Sequence, residues 1–522
     1  MHRPPVPSGA PPAIDAARAP VLLDGAGLTP GGVEAIARHG AQALLAPEAR
    51  ARNDRAREAI AALLARGDGL YGATTGVGSL RSHGVAGDAD RETHSLALLR
   101  SHAGSAGEPL TVPAVRAAMA ALANQIGAGG AGVADAMLQA LVSALNAGLT
   151  PFTRALGSLG TGDLTNLSEV GLALLGEGQF WRESELVHAG AALADAGLPP
   201  ARLGPRDGLA LISSNAFSIG SAALLYVDVR RLLDAWLSVA ALSFEAAGAD
   251  PVVLDARLHP AARAPGQAAV AARMRELLIG LSGRSRAPGP GGIQDPYPFR
   301  AQPQVDGAVH DTLSALERVV QRDLNFAGEN ALIASGDGLA LPNGNFHAAG
   351  LAVAVDGLRG ALAAAGGLIA ARVSALLDPV LSGLAPFLAR HPGPESGALI
   401  LEYTAHAAAA EARSLTLPVA AQTVSVSHGV ESHASLAPIA IRRLAQIVDA
   451  VRIAVATELV VAVRALALAE QAPVGAGTRA VWAAARERLG GGLEDRPLHP
   501  DVEAARLLLC DGWSGQLPDT QL

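Results

Sequence analysis

Five long stretches of this chain carry apolar residues at the spacing of an α-helix, and they constrain its fold more than any other feature. They cover residues 208–250, 308–333, 350–390, 396–413 and 434–470. Loop signals separate them, and residues 339–345 are expected to form a turn. Alternating apolar and polar residues, the mark of strands, are scarce. The sequence therefore predicts a mostly α-helical fold with a long central helical bundle.

The most apolar segments are residues 351–368 and 453–468. Each is interrupted by an acidic and a basic side chain, whereas a membrane-spanning helix needs about 20 consecutive apolar residues. We therefore interpret both as buried bundle helices whose charged side chains lie at interfaces. Their low polarity also suggests burial by neighbouring subunits.

Charge and cysteine content limit the partners and the compartment. The net charge is −8 and the pI is about 6.0, which argues against nucleic acid or an anionic membrane as partner. Cys510 is the only cysteine, so no intrachain disulfide is possible and a cytoplasmic setting is expected. We expect a flexible tail over residues 1–20, an N-terminal region with the active-site loops over 21–240, and the helical bundle over 241–515.

Residues 157–164 (GSLGTGDL) are the segment most informative about function. Gly162 has an unhindered amide nitrogen, which can attack the carbonyl carbon of Gly160 and close a five-membered ring. Loss of water from the Thr161 side chain then makes the ring an electrophilic imidazolone. Asp163 is expected to be the N-cap of the next helix, whose positive end would stabilise negative charge on an imidazolone oxygen.

This segment resembles the loop of the aromatic amino acid ammonia-lyases and aminomutases that forms 4-methylidene-imidazol-5-one from Ala-Ser-Gly followed by Asp-Leu. The resemblance runs from about residue 55 to 470, through several motifs in the family's order, and is closest to histidine ammonia-lyase. It implies the fumarase/aspartase-like ammonia-lyase fold and a prosthetic group made from the chain itself, with no external cofactor. Here the triplet is Gly160-Thr161-Gly162. Dehydrated threonine would keep a methyl group that donates electron density and crowds the electrophilic carbon, so the loop makes a blunted electrophile or none.

Two loops before this segment match the family. Residues 71–78 (YGATTGVG) are rich in glycine and threonine, as in a loop. The resemblance assigns Tyr71 as the catalytic base; the alternative is a structural tyrosine at a turn. A Ser-His pair follows at Ser101 and His102, where histidine-specific members contact the substrate ring. His102 is therefore assigned to substrate binding, with a packing histidine as the alternative.

Residues 294–304 (QDPYPFRAQPQ) resemble the most recognisable segment of the family. The resemblance implies that Arg300 binds the substrate carboxylate, to which a planar guanidinium pairs through two hydrogen bonds. It assigns Tyr297 to catalysis and Gln294 to binding, through hydrogen bonds near the prosthetic ring. The alternative is a proline-rich loop with a surface arginine.

Four further residues complete the predicted site. Phe346 stands where the family places a phenylalanine over the prosthetic group, which assigns it to substrate binding; the alternative is a core phenylalanine near a turn. Glu431 opens the segment ESHASLAP, where histidine-type members carry a glutamate that faces the substrate. The resemblance assigns it to catalysis; the alternative is a solvated charge at a helix start. A carboxylate suits an imidazole or an amine better than a phenyl ring. The family's substrate-binding asparagine is either displaced to Asn215 or replaced by Ser213.

No metal or nucleotide site is predicted. His428, Glu431 and His433 have metal-binding side chains, but the His-Glu-x-x-His pattern of a helical zinc site is absent. The glycine patch at residues 127–132 lacks the strand that precedes a dinucleotide-binding loop, and there is no phosphate-binding Gly-x-x-x-x-Gly-Lys motif. The Gly-Ser-Ser-x-Met loop of the related enzymes that make fumarate-type products is also absent.

These residues together predict an ammonia-lyase that acts on an aromatic amino acid, with histidine to urocanate as the first choice. Tyr71 would remove the β-proton, and the prosthetic group would be the methylated variant if Thr161 reacts. The resemblance implies a homotetramer with shared active sites. Three alternatives stay open: an aminomutase, an imidazolone-free enzyme that uses Tyr71 and Glu431 as acid and base, and a non-catalytic paralogue that binds a small acid or a partner protein.

Overall fold

The computed structural model describes residues 12, 15, 17–85, 87–182, 184–283 and 294–511, so most of the tail predicted for residues 1–20 lies outside the described residues. The helices are α1 (Pro30–His39), α2 (Pro47–Arg66), α3 (Asp88–His102), α4 (Val112–Ala128), α5 (Asp135–Asn146), α6 (Leu164–Leu174), α7 (Ala189–Asp195), α8 (Asp207–Ile212), α9 (Ala216–Ala247), α10 (His259–Ala262), α11 (Pro265–Leu277), α12 (Tyr297–Arg300), α13 (Gln302–Leu324), α14 (Ala349–Leu377), α15 (Pro379–Ser382), α16 (Leu399–Ser414), α17 (Ala437–Leu468), α18 (Ala476–Arg488) and α19 (His499–Asp511). The strands are β1 (Val21–Leu23), β2 (Ala43–Leu45), β3 (Ala106–Pro109), β4 (Thr150–Pro151), β5 (Arg154–Leu156), β6 (Gln179–Arg182), β7 (Glu185–His188), β8 (Leu332–Ala334) and β9 (Leu339–Leu341). The predicted mostly helical fold is confirmed.

Contacts divide the chain into two compact units that are discontinuous in sequence. The first unit contains the described residues of Met1–Val227, Leu316–Val355 and Pro418–Ile441. The second contains the described residues of Asp228–Ala315, Asp356–Leu417 and Arg442–Leu522. The division into residues 21–240 and 241–515 concerns continuous ranges and stays a prediction.

Helix α4 lies at the centre of the first unit. Its start is fixed by Thr111, whose hydroxyl accepts a hydrogen bond from the Ala114 amide at 3.4 Å, and nearly all of its side chains are buried. Small alanine side chains let α1 and α2 pack closely against it. Short strands flank these helices: β1 pairs in parallel with β2, and β6 lies between β4 and β7.

The second unit contains long buried segments of α14 and α17. Arg372 on α14 donates two hydrogen bonds to the Glu458 carboxylate on α17, at 2.7 and 3.0 Å, and both side chains are fully buried. Such a pair fixes the register of two apolar helices. Segments Asp207–Ala247 and Ala349–Leu377 are long and apolar enough to cross a membrane, but 89% and 61% of their most apolar windows are buried in the fold, as in core helices.

The helical stretch predicted over residues 308–333 is wrong at its end. Helix α13 stops at Leu324, because the Asn325 side chain donates to the carbonyl of Gln321 and, across the unit, to that of Leu28, both at 2.8 Å. These side-chain hydrogen bonds take the place of the backbone hydrogen bonds that another helical turn would make. The chain then continues into β8, which periodicity alone does not reveal.

Two other predictions near α14 need correction. The stretch predicted over residues 350–390 is too long: α14 ends at Leu377, and the Asp378 side chain accepts from the Val380 amide at 2.7 Å to start the separate helix α15. Residues 339–345 are not only a turn, because β9 pairs with β8 in an antiparallel hairpin. These strands are three residues long, which is too short for alternation to show in the sequence.

The starts of four helices surround residues 159–163 in the first unit. Helix α6 follows directly, and α9 begins after a buried break at residues 213–215. The amide that precedes α17, at Leu436, donates to the Leu159 carbonyl at 2.8 Å, and the amide that precedes α14, at Ala348, lies 3.5 Å from the Gly160 carbonyl oxygen. Helix starts present free N–H groups and positive potential, so this loop lies where negative charge is stabilised.

Candidate active site

The loop over residues 157–164 has a backbone that requires glycine. The φ angles of Gly160 and Gly162 are +81° and +105°, in the region that residues with a Cβ rarely adopt. A Cβ on Gly160 would lie 2.0 Å from the Ser435 Oγ. The family's alanine would therefore not fit here without movement, which accounts for one departure from the Ala-Ser-Gly triplet.

Each residue of the triplet makes at least one polar contact to a distant part of the first unit. The Gly160 carbonyl accepts from the Ser435 hydroxyl at 2.9 Å. The Thr161 hydroxyl donates to Glu431 Oε2 at 3.2 Å, and the Gly162 amide donates to Asn215 Oδ1 at 3.2 Å. The carbonyl, hydroxyl and amide that ring formation would use are thus all held in fixed positions.

Asn215, and not Ser213, is the residue that contacts the triplet. Its amide group also donates to the Phe346 carbonyl and so joins the break before α9 to the segment before α14. The Ser213 hydroxyl instead hydrogen-bonds the buried carboxylate of Glu329. The displaced asparagine is therefore the better of the two sequence alternatives, and binding by Ser213 stays a prediction.

The Tyr71 loop adjoins the Glu431 segment. The Tyr71 oxygen accepts a hydrogen bond from the Gly78 amide at 2.8 Å. The Ser79 amide donates to the Ser427 hydroxyl at 3.1 Å, and a Cβ on Gly78 would lie 3.7 Å from Glu431 Oε1. Because Glu431 also contacts Thr161, three segments that are far apart in sequence meet at one place.

His102 and Phe346 differ in how they relate to this cluster. His102 ends α3, and its Nδ1 lies 2.9 Å from the Leu98 carbonyl oxygen and 3.1 Å from the Ser101 hydroxyl, so these contacts are local. Phe346 is tied to the cluster through its carbonyl. The adjacent His347 Nε2 lies 3.1 Å from His433 Nδ1. In the described ranges, no three His, Cys, Asp or Glu side chains stand close enough to hold a metal ion.

Asp163 stands at the N-cap position of α6 but does not cap that helix with its side chain. Its carboxylate accepts from the Ser218 amide at 2.8 Å and the Ser218 hydroxyl at 3.1 Å, at the start of α9. The predicted N-cap position is therefore confirmed, but the side chain binds the start of another helix. Complete burial raises the pKa of Asp163 to about 6, and the bonds from Ser218 oppose that rise only in part.

We expect Asp163→Asn to remove part of the pH dependence of stability. A folded-state pKa of about 6 against 3.8 in the unfolded chain means that the native state binds the proton more tightly. The stability due to this group is full below pH 3.8 and is lost as the pH rises through 6, which amounts to about 3 kcal/mol. Urea unfolding between pH 4 and 8 should show the unchanged protein losing this amount relative to Asp163→Asn. The exposed variant Asp337→Asn should track the unchanged protein, and parallel curves for all three proteins would contradict the assignment.

The second unit holds the other predicted group of site residues. Helix α12 carries Tyr297, which is 68% exposed, and Arg300, whose guanidinium lies 4.6 Å from the Tyr297 ring centre. Arg300 also donates to Gln294 Oε1. Within the described part of the chain, Nε of Arg300 has no hydrogen-bond partner. The guanidinium is thus oriented by a ring and an amide and retains donor capacity for an anion.

The residues at 160–162 fit a self-made imidazolone in three respects. The attacking amide carries no side chain, the carbonyl to be attacked accepts a hydrogen bond, and residue 161 has a hydroxyl to lose. The extra methyl group of Thr161 is the one departure from serine in this part of the site. Asn215, Glu431 and Ser435 are the residues that would surround the group.

Comparison with known proteins agrees with this arrangement. The model of the aromatic amino acid lyase family matches residues 28–487. The chain belongs to the aromatic amino acid lyase family. It is a carbon–nitrogen lyase. The family membership and the lyase activity that the resemblance predicts are therefore confirmed.

The relatives of this lyase include several activities. It is 36% identical to the histidine ammonia-lyase of Symbiobacterium thermophilum, over 94% of this chain and 96% of that one. Its structure is similar to tyrosine aminomutase from Streptomyces globisporus, with a TM-score of 0.91, 29% identity and coverage of 97% and 100%. It is also similar to the ergothioneine-degrading enzyme ergothionase from Treponema denticola, with a TM-score of 0.89, 26% identity and coverage of 94% and 99%.

Sequence reasoning missed the contacts of Ser435 and the role of Asp163. Ser435 stands in the segment ESHASLAP, but nothing in a serine between alanine and leucine indicates that it bonds a glycine carbonyl 275 positions away. Because capping is usually local, the sequence places the Asp163 side chain at the nearest helix. Only the meeting of α6, α9 and α17 shows either contact.

Proposed function

We propose that this lyase eliminates ammonia from an aromatic amino acid, with histidine to urocanate as the first choice, using an electrophile formed from Gly160-Thr161-Gly162. The observation that carries the proposal is the contact set of the triplet, in which carbonyl, hydroxyl and amide each have a fixed partner. The fold and the family of this chain support it. When formed, the group supplies an electrophilic carbon that accepts the substrate amine.

Glu431 is the residue that favours a substrate with an imidazole ring. Its carboxylate is held beside Thr161 and close to the Tyr71 loop. A carboxylate accepts a hydrogen bond from an imidazole N–H, which a phenyl ring cannot offer. His102 is proposed as a second contact to the ring. The 36% identity to a histidine ammonia-lyase supports the same substrate class.

Tyr71 is proposed as the base that removes the β-proton of the substrate. Its oxygen accepts a hydrogen bond from the Gly78 amide. Such a donor stabilises the negative charge that the tyrosine oxygen carries when it acts as a base. Tyr297 and Gln294 are proposed to hydrogen-bond near the reacting group. Phe346 is proposed to pack over the reacting group.

Arg300 is proposed to bind the substrate carboxylate, and Arg300→Lys is expected to raise KM by about 10- to 100-fold, since charged hydrogen bonds of the fork are lost. The kcat should change less, because the carboxylate does not react. Steady-state kinetics of ammonia release would measure both. Arg257→Lys is a matched control in the same unit, because Arg257 is exposed and pairs with Asp255. A KM for Arg300→Lys equal to that of the control would contradict the assignment.

A second candidate function is elimination without an imidazolone. One observation favours it: residue 161 is threonine, whose methyl group crowds the carbon that would be the electrophile. In that case Tyr71 and Glu431 act as plain acid and base groups. The similarity to ergothionase shows that a protein of this fold degrades a compound other than histidine, tyrosine or phenylalanine. An aminomutase that returns the amine to the β-carbon also stays open, given the similarity to tyrosine aminomutase.

The proposed function is tested by incubating the purified protein with L-histidine, L-tyrosine and L-phenylalanine in turn. Ammonia and the α,β-unsaturated acid are measured together, and β-amino acids are assayed in the same samples. We expect urocanate and equal ammonia from histidine, with the highest kcat/KM of the three. A β-amino acid product would favour the aminomutase, and no reaction with any of the three would contradict the proposal.

We also propose that the protein is a cytoplasmic homotetramer whose active sites are completed by neighbouring subunits. The resemblance to the family supports this assembly. Light scattering of the purified chain is the direct measurement, and a monomer that retains full activity would contradict shared active sites.

A further inference from the structure

We propose that Ser435 and the Ala348 amide form an oxyanion hole that drives closure of the 160–162 ring, so that Ser435 is a catalytic residue of self-processing. This inference rests on the proposed electrophile. The Ser435 hydroxyl donates to the Gly160 carbonyl oxygen at 2.9 Å, and the Ala348 amide lies 3.5 Å from the same oxygen. Both donors are aimed at the atom on which negative charge develops during attack.

The surroundings of the Ser435 hydroxyl make it a stronger hydrogen-bond donor. It is 99% buried and accepts a hydrogen bond from the Ala437 amide, the first residue of α17, at 3.3 Å. A hydroxyl that accepts a bond becomes a stronger donor, because hydrogen bonds in a chain polarise one another. The start of the 32-residue helix α17 adds positive potential at the same point.

The nucleophile is oriented from the opposite side. The Gly162 amide donates to Asn215 Oδ1 at 3.2 Å, and Asn215 in turn is bonded to the Phe346 carbonyl. Asn215 therefore fixes the plane of the attacking amide, while Ser435 fixes the carbonyl. The geometry of attack depends on the positions of the amide and the carbonyl. Holding two reacting groups in the correct orientation lowers the barrier of an intramolecular reaction.

Ring closure and dehydration release two water molecules. The Gly162 nitrogen bonds to the Gly160 carbonyl carbon, and the carbonyl oxygen collects negative charge beside Ser435 and Ala348. This oxygen leaves as water with the N–H protons of Gly162 and Thr161, and a C=N bond forms between the Gly160 carbon and the Thr161 nitrogen. The Thr161 Oγ then leaves as a second water with the proton of its Cα, so the chain loses two water molecules in all.

The close approach of Ser435 depends on glycine at position 160. A Cβ there would lie 2.0 Å from the Ser435 Oγ and 3.2 Å from the Ala437 amide nitrogen. Alanine, which is the residue of the family triplet, would displace the Ser435 hydroxyl and break its hydrogen bond to the carbonyl of residue 160. In this chain, therefore, Gly160→Ala should slow closure although it brings the triplet nearer to the family sequence.

The experiment follows ring closure by intact mass at intervals after cell-free synthesis, with peptide mapping of residues 157–164. Ser435→Ala is compared with Ser432→Ala, an exposed serine three residues away. Each is made in the natural chain and with Thr161→Ser. We expect Ser435→Ala to close about 100-fold more slowly, the scale of losing one oxyanion-hole donor, with Ser432→Ala unchanged. Circular dichroism verifies folding.

The outcomes separate this inference from the proposed function. A natural chain that keeps both waters contradicts the Thr161 electrophile, and the Thr161→Ser pair then tests Ser435 alone. Equal closure rates for Ser435→Ala and Ser432→Ala overturn the inference, as does a lack of closure in both backgrounds. If Ser435→Ala fails to fold, Gly160→Ala replaces it, and closure of that variant at the unchanged rate overturns the inference.

Discussion

Replacing Thr161 by valine is expected to abolish ammonia release. Valine keeps the shape of threonine but has no hydroxyl to lose, so the ring cannot become an electrophile. We expect kcat to fall by at least about a thousandfold, the scale seen when a group that acts covalently is removed. Ammonia release under saturating substrate measures this directly, and the unfolding midpoint shows whether the variant is folded.

Thr161→Ser is the matched control. Serine retains the hydroxyl that donates to Glu431 and removes only the methyl group. Because that methyl group donates electron density and crowds the electrophilic carbon, the serine variant should turn over at least as fast as the natural chain. If the valine variant retains the activity of the natural protein, elimination proceeds without the imidazolone, and the second candidate function replaces the first.

Replacing Tyr71 by phenylalanine is expected to lower kcat by about 100- to 10,000-fold, the contribution of a positioned general base. The change removes the oxygen that accepts the Gly78 amide and leaves the ring in place. KM should change little, because the oxygen acts on the β-proton rather than in binding. The two-water mass deficit should persist, since Tyr71 takes no part in ring closure.

Tyr403→Phe is the control for Tyr71→Phe, because Tyr403 is 66% exposed on α16 and plays no proposed role. It should keep the kcat of the unchanged protein. If Tyr71→Phe also keeps that kcat, the base is another residue, and Glu431 is the next to test. A Tyr71→Phe variant without the mass deficit would instead place Tyr71 in the folding of the loop.

Glu431 has a position that connects the two candidate functions. Its carboxylate accepts from the Thr161 hydroxyl before any ring is formed. If Thr161 dehydrates, that bond is lost and the carboxylate becomes available for a substrate imidazole or amine. If Thr161 stays intact, Glu431 remains bonded to it, and its capacity to bind substrate is smaller. The state of residue 161 therefore decides what Glu431 can do.

The fold could be predicted because its main determinants are local. Helical periodicity gives the long helices of the bundle, and the content of glycine and threonine gives the loop at residues 71–78. The ends of α13 and α14 could not be predicted, because Asn325 ends one helix through a contact with residue 28, and Asp378 caps a new helix. Long-range side-chain contacts leave no mark on local periodicity.

The site residues also fall into those that the sequence reveals and those that only the structure reveals. The triplet at residues 160–162, Tyr71 and Glu431 could be located because their motifs are contiguous in sequence. Asn215 could not be separated from Ser213, since the choice depends on which side chain faces Gly162 after the break before α9. Ser435 and Asp163 needed the structure, because their partners are the Gly160 carbonyl and Ser218, which lie far away along the chain.

The central claim is that Thr161 becomes part of a self-made electrophile, and peptide mapping of residues 157–164 in the purified natural protein tests it most directly. We expect a mass lower by two water molecules, localised to Gly160-Thr161-Gly162. A peptide of unmodified mass would contradict it. The enzyme would then have to eliminate ammonia without the imidazolone.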